Sequence, residues 1–126
     1  MRLVRWPNLL ILGLIILLVK TQLVDVFSAG TAVPSCISTL QWFLLAAATI
    51  FIAASGNVVN DIFDQEIDRF NKPDTRIVGA IVSEASAWNL YYALSSIGLL
   101  SGIYLCYSMG NTSASLVFML ITGGLY

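Results

Sequence analysis

Between Asn60 and Arg76 the chain reads NDIFDQEIDRFNKPDTR, and this stretch holds eight of its thirteen charged residues. If it is helical, a turn of about 100° per residue puts Asn60, Asp64 and Asp68 on one stripe, at i, i+4 and i+8. Asn57 and Asp61 fall on the same side, while Phe63, Ile67 and Phe70 occupy the other flank. Asn71-Lys72-Pro73 ends such a helix, because proline disfavours helical geometry in the residue before it. Carboxylates stacked one turn apart repel by about 0.2–0.5 kcal/mol even in water, and by more where water is partly excluded. A cation is therefore expected against the stripe. Donors that are all oxygen suit a hard ion, and Mg2+ is commonly held by one or two carboxylates completed by substrate phosphates. Lys72 and Arg76, just downstream, are placed to meet those phosphates. The plainer alternative is a solvated, topology-setting loop beside a membrane. An EF-hand is excluded, since its alternating ligands and central glycine are missing.

The rest of the chain is what must hold this segment. It has 126 residues, of which 58% are hydrophobic and 10% charged, with a mean hydropathy of +0.86. That composition predicts an all-α, polytopic transmembrane bundle rather than a water-soluble domain. A net charge of −1 implies no nucleic-acid surface, and the lack of histidine removes imidazole catalysis. Cys36 and Cys106 have no CxxC spacing and read as small apolar residues.

Four spans are expected, at about 7–27, 40–59, 85–107 and 114–126, with the acidic segment at 60–84 forming a connector. A signal peptide competes for the first, but Lys20 and Asp25 fit that reading poorly. The second ends in the small-residue run AASGN, suited to close helix contact. The third carries Trp88, Tyr91 and Tyr92 at its start and Tyr104 and Tyr107 at its finish, as in an interfacial aromatic belt. Its Gly98 and Gly102 form a GxxxG, read here as helix packing rather than a dimer contact. The last span stops in mid-membrane, so a fragment of a longer protein is expected. Lys20 and Asp25 read either as functional charges or as snorkelling ones, and Asn89 either as cavity-facing or as an interhelical polar contact.

Arg2, Arg5, Arg69, Lys72 and Arg76 are five of the six basic residues, and the first two of the three full crossings lie between the two groups, which places them all on one side. The positive-inside rule makes that side cytoplasmic.

The segment NDIFDQEIDRFNKP resembles the first aspartate-rich motif, NDxxDxxxD, of the UbiA-type membrane prenyltransferases, and it follows the second span as in that family. The opening RWPNLLIL resembles the family's first helix. The resemblance implies nine helices, about four of them within this chain as the N-terminal part of one domain. It also implies a Mg2+-dependent transfer of a prenyl group from an allylic prenyl diphosphate to a hydrophobic acceptor within the lipid bilayer of a prokaryotic cell. On the same grounds Asn60, Asp61, Asp64 and Asp68 would bind the metal, with Asp64 and Asp68 essential for catalysis. Asn60, Lys72 and Arg76 would contact the diphosphate, and Trp42, Tyr91 or Tyr92 could face the allylic cation. The wording leans towards the branch that prenylates glycerol-phosphate lipids. Two departures stand out. Arg76 is followed by Ile77 rather than proline, and the family's second aspartate-rich motif lies beyond the fourth helix, so this chain alone is expected to be inactive. Two other readings stay open, a small non-enzymatic membrane scaffold or ion-binding subunit and a membrane terpenoid cyclase.

Overall fold

The computed structural model describes residues 3–30, 37–71 and 77–110. Helix α1 spans Trp6–Leu18, with Pro7 in its first turn, where a missing N–H costs nothing. It passes into a π-helical stretch, Val19–Val24, and then into the short α2, Asp25–Gly30. Helix α3 is Thr39–Phe63, α4 is Gln65–Asn71 and α5 is Glu84–Ser108. Three helical stretches, Trp6–Val24, Thr39–Phe63 and Glu84–Ser108, are long and apolar enough to cross a membrane. The all-α class expected from composition holds among the described residues. The fourth expected span, 114–126, lies outside them.

The ends of α3 and α5 are set by local chemistry. Ser38 caps α3 in a capping box: its hydroxyl accepts from Gln41 N, and Gln41 Oε1 accepts from Ser38 N. The Gln41 amide also donates to Ser108 O at 3.2 Å, tying the start of α3 to the end of α5. Ser83 caps α5 by accepting from Ser86 N. The main helix pair is α3 against α5. Gly98 makes it possible, because a Cβ there would lie 2.8 Å from Ile52 Cγ1 and 3.0 Å from Ile52 N. Gly98 and Gly102 are both buried, so the GxxxG serves packing within the chain, as expected.

A compact core closes the end of the bundle that carries the acidic segment. Leu3, Val58, Ile62, Val78, Ala87 and Tyr91 bury their side chains together there. Val78 reaches this core from a tight turn over Ile77–Val82, in which Ile77 O accepts from both Ile81 N and Val82 N. Gly79 supplies the positive φ, +77°, that the turn requires. Among the described residues, α1 packs on α3 without burying any side chain of its own completely.

Candidate functional site

From Asn60 to Asn71 the acidic segment is helical, with one break. Helix α3 runs beyond the expected end of the second span and closes at Asp64, whose φ −79° and ψ 1° leave the helical well. Helix α4 starts at the next residue, and the i to i−4 ladder survives the break. Asp64 N donates to Asn60 O at 2.9 Å, and Asp68 N donates to Asp64 O at 2.8 Å. Asn60, Asp64 and Asp68 are thus linked turn by turn through their backbones. The side chains add a further link, from Asn60 Nδ2 to Asp64 Oδ2 at 2.8 Å.

Asn60 is exposed, but the carboxylates of the stripe and the apolar flank differ in exposure. Asp61, Asp64 and Asp68 are half-buried. Phe63, Ile67 and Phe70 are 73%, 59% and 85% exposed. A helix lying on a soluble protein would reverse that order, whereas a helix meeting lipid or further apolar helices can leave its apolar flank open. Phe63 touches the rest of the chain through an edge-on contact with Trp88, ring centroids 6.1 Å apart.

Asp61 is committed elsewhere. Its Oδ1 accepts from Arg5 Nη2 at 2.8 Å, and one turn earlier Asn57 Nδ2 donates to Val4 O at 3.1 Å. The sequence put Asn57 and Asp61 on the acidic side but treated Arg5 only as a topology signal. The clue lay in the topology itself, since the N-terminus and the acidic segment were already expected at one end of the bundle.

Other candidates separate along the membrane axis. Trp42 lies eighteen residues from Asn60 on α3, about 27 Å at 1.5 Å per residue, which removes it from the chemistry of the stripe. It lines a groove of ≈ 320 Å³ with Lys20 and Phe43 at the far end. There Lys20 Nζ pairs with Asp25 Oδ2 at 3.0 Å, so neither charge stands alone. Tyr91 and Tyr92 sit at the acidic end, in a cluster with Trp88 whose centroids are 5.1–5.8 Å apart. Tyr91 is buried in the core, while Tyr92 and Asn89 are exposed. Lys72, Arg76 and Cys36 lie outside the described residues.

A second groove, ≈ 530 Å³ and almost wholly apolar, runs between the helices and includes Thr49, Ala53, Gly102 and Cys106. Thr49, Ala53 and Gly56 all fall within about 40° of the bearing of Asn60 around α3. Apart from its chain neighbours and the backbone of its own helix, no described atom lies within 4 Å of where a Cβ on Gly56 would sit. Among the described residues, this face of α3 is thus an uncovered lane at Gly56, between the groove and Asn60.

The profile of the UbiA prenyltransferase family matches residues 23–126. The chain belongs to that family. Three similar proteins are each named digeranylgeranylglyceryl phosphate synthase. The one from Metallosphaera sedula is 38% identical over 64 residues, 51% of this chain and 22% of the relative. The one from Methanoregula boonei is 34% identical, covering 60% of this chain and 28% of the relative. The one from Korarchaeum cryptofilum is 33% identical, covering 68% and 31%. The matched segments thus span between about a fifth and a third of those relatives' length. No solved structure matches the chain. With three helices of spanning length, this UbiA-family chain is a multi-pass integral membrane protein.

The donors on the UbiA-type stripe fit a hard divalent cation in chemistry. Among the described residues no three His, Cys, Asp or Glu side chains converge into a metal-holding set. Beside Asp61, which is paired to Arg5, the stripe carries the Asp64 and Asp68 carboxylates and the Asn60 amide. Mg2+ is commonly held by one or two carboxylates together with substrate phosphates and water.

Proposed function

We propose that the protein containing this chain transfers a prenyl group from an allylic prenyl diphosphate to a hydrophobic acceptor inside the membrane. The observation that carries this reading is the backbone-linked stripe of Asn60, Asp64 and Asp68, with its carboxylates half-buried at one end of a membrane-spanning helix. Asp64 and Asp68 would hold Mg2+, with Asn60 fixing the Asp64 carboxylate through its amide. Bound there, the metal would offset the charge that builds on the departing pyrophosphate. Lys72 and Arg76 would add cationic donors to the same phosphates.

The remaining residues bind and shield. The prenyl tail would run along the lane of Gly56, Ala53 and Thr49 into the apolar groove, whose nearest lining residue on that stripe, Ala53, is about 10 Å from Asn60 along α3. Apolar walls keep water from the allylic cation. Tyr92, exposed beside Trp88 at the acidic end, can present its ring face to that cation. The acceptor class favoured is a glycerol-phosphate lipid, because the three relatives share one such name. The N-terminus and the acidic end would face the cytoplasm, because Arg2, Arg5, Arg69, Lys72 and Arg76 all fall in the two sequence segments that precede the first span and follow the second. The chain by itself would be inactive, as one part of a larger nine-helix domain.

The test is prenyl transfer by the full-length protein carrying Asp64→Ala or Asp68→Ala. A loss of about 100-fold or more is expected, in line with removing a principal charge-stabilising group. Turnover at the unmodified rate would refute the assignment.

A further inference from the structure

The first residues of the chain are clasped onto the acidic end of α3 by three separate contacts. Leu3 is buried in the core beneath it, the Val4 carbonyl accepts from Asn57, and Arg5 pairs with Asp61. Asn57 and Asp61 are one turn apart, so the clasp reads two successive rungs of a single face. Arg5 reaches its partner from φ +49° and ψ +51°, a left-handed conformation that is uncommon for a residue with a Cβ and carries a cost. Neighbouring contacts hold it there: Asn8 N donates to Arg5 O at 2.9 Å, closing the turn into α1.

Asp61 and Asp64 are three residues apart on a helix, so their Cβ atoms lie about 5–6 Å from each other. An unpaired Asp61 would add a full negative charge next to the carboxylates assigned to the metal. We infer that Arg5 is a positioning residue that neutralises Asp61 beside the cation site and so sets the affinity of that site for a divalent ion. The inference rests on the metal reading above. It deepens that reading by giving the first turn of the chain a part in the site.

The sign of the effect separates this role from a structural one. Losing Arg5 exposes an extra negative charge and should tighten cation binding, whereas damage to the fold can only weaken it. Losing Asp61 leaves Arg5 unopposed near the site and should weaken binding. Losing both restores the balance.

The experiment is Mn2+ binding, followed by electron paramagnetic resonance with no substrate present, on the full-length protein in detergent or nanodiscs. Asp64→Ala defines the site-specific signal. Arg5→Ala and Arg5→Gln should each tighten Mn2+ binding by about three- to tenfold at low salt, and Asp61→Ala should weaken it by a similar factor. The double variant R5A/D61A should lie within about twofold of the unmodified protein. Unchanged or weaker binding in both Arg5 variants overturns the inference. So does a double variant as weak as Asp61→Ala, which would make Asp61 a ligand in its own right. A Mn2+ signal that Asp64→Ala leaves untouched removes the metal reading itself, and this inference with it.

Discussion

The Asn60 amide holds the Asp64 carboxylate across one helical turn, Nδ2 to Oδ2 at 2.8 Å, at the point where α3 gives way to α4. An amide donor orients a carboxylate without cancelling its charge, so Asp64 stays able to bind a cation. Asn60→Ala is therefore expected to lower prenyl transfer by about tenfold, roughly one to two hydrogen bonds' worth. Raising Mg2+ should restore part of that loss. The readout is the Mg2+ dependence of turnover in the full-length protein, and Asp64→Ala should show no comparable recovery.

The stripe itself could be read from sequence. Asn60, Asp64 and Asp68 recur at the helical period, and the structure joins them through consecutive i to i−4 bonds. The break at Asp64 could not be read in this way, because DIFDQEID has no glycine or proline to mark it and its aspartates recur at the helical period. The pairing of Arg5 with Asp61 was hidden for another reason. It links residues 56 positions apart, and periodicity reports on faces within one helix rather than on what meets them. The transmembrane architecture was legible because apolar length alone sets it. The lane past Gly56 was not, since it depends on what neighbouring helices leave open.

Close approach at Gly98 gives a stability prediction. A methyl group there would lie 2.8 Å from Ile52 Cγ1 and 3.0 Å from the Ile52 backbone nitrogen, so α3 and α5 would have to move apart. Gly98→Ala should cost about 1–3 kcal/mol, the usual range for overpacking, and Gly98→Leu more. Thermal unfolding followed by circular dichroism in detergent is the check. Gly56→Ala, facing open space among the described residues, should leave the midpoint nearly unchanged.

The same open space predicts a change of specificity. A bulky side chain on the lane between Asn60 and the apolar groove would shorten the tail that fits. Gly56→Phe and Ala53→Phe should each lower kcat/KM for a twenty-carbon donor by about tenfold or more relative to a ten-carbon one, within the range that steric fit of a few methylenes can supply. Product analysis with paired donors would show it, and an unchanged ratio would remove the tail from this groove.

Lys20 and Asp25 pair at the far end of the first span, away from the stripe. Both are partly exposed, so the pair is worth about 0–1 kcal/mol. The double variant K20M/D25L should fold and retain prenyl transfer close to that of the unmodified protein. Loss of turnover with an intact fold would assign that pair a role the account does not give it.

The central claim is that Asp64 and Asp68 grip a diphosphate through a divalent ion. It is tested most directly by calorimetric binding of an unreactive prenyl thiodiphosphate to the full-length protein, with Mg2+ and with EDTA. Binding should require Mg2+ and weaken by about 100-fold or more in Asp64→Ala and Asp68→Ala, as expected when one partner of a charge pair is removed. Equal affinity in EDTA, or in either variant, would contradict it.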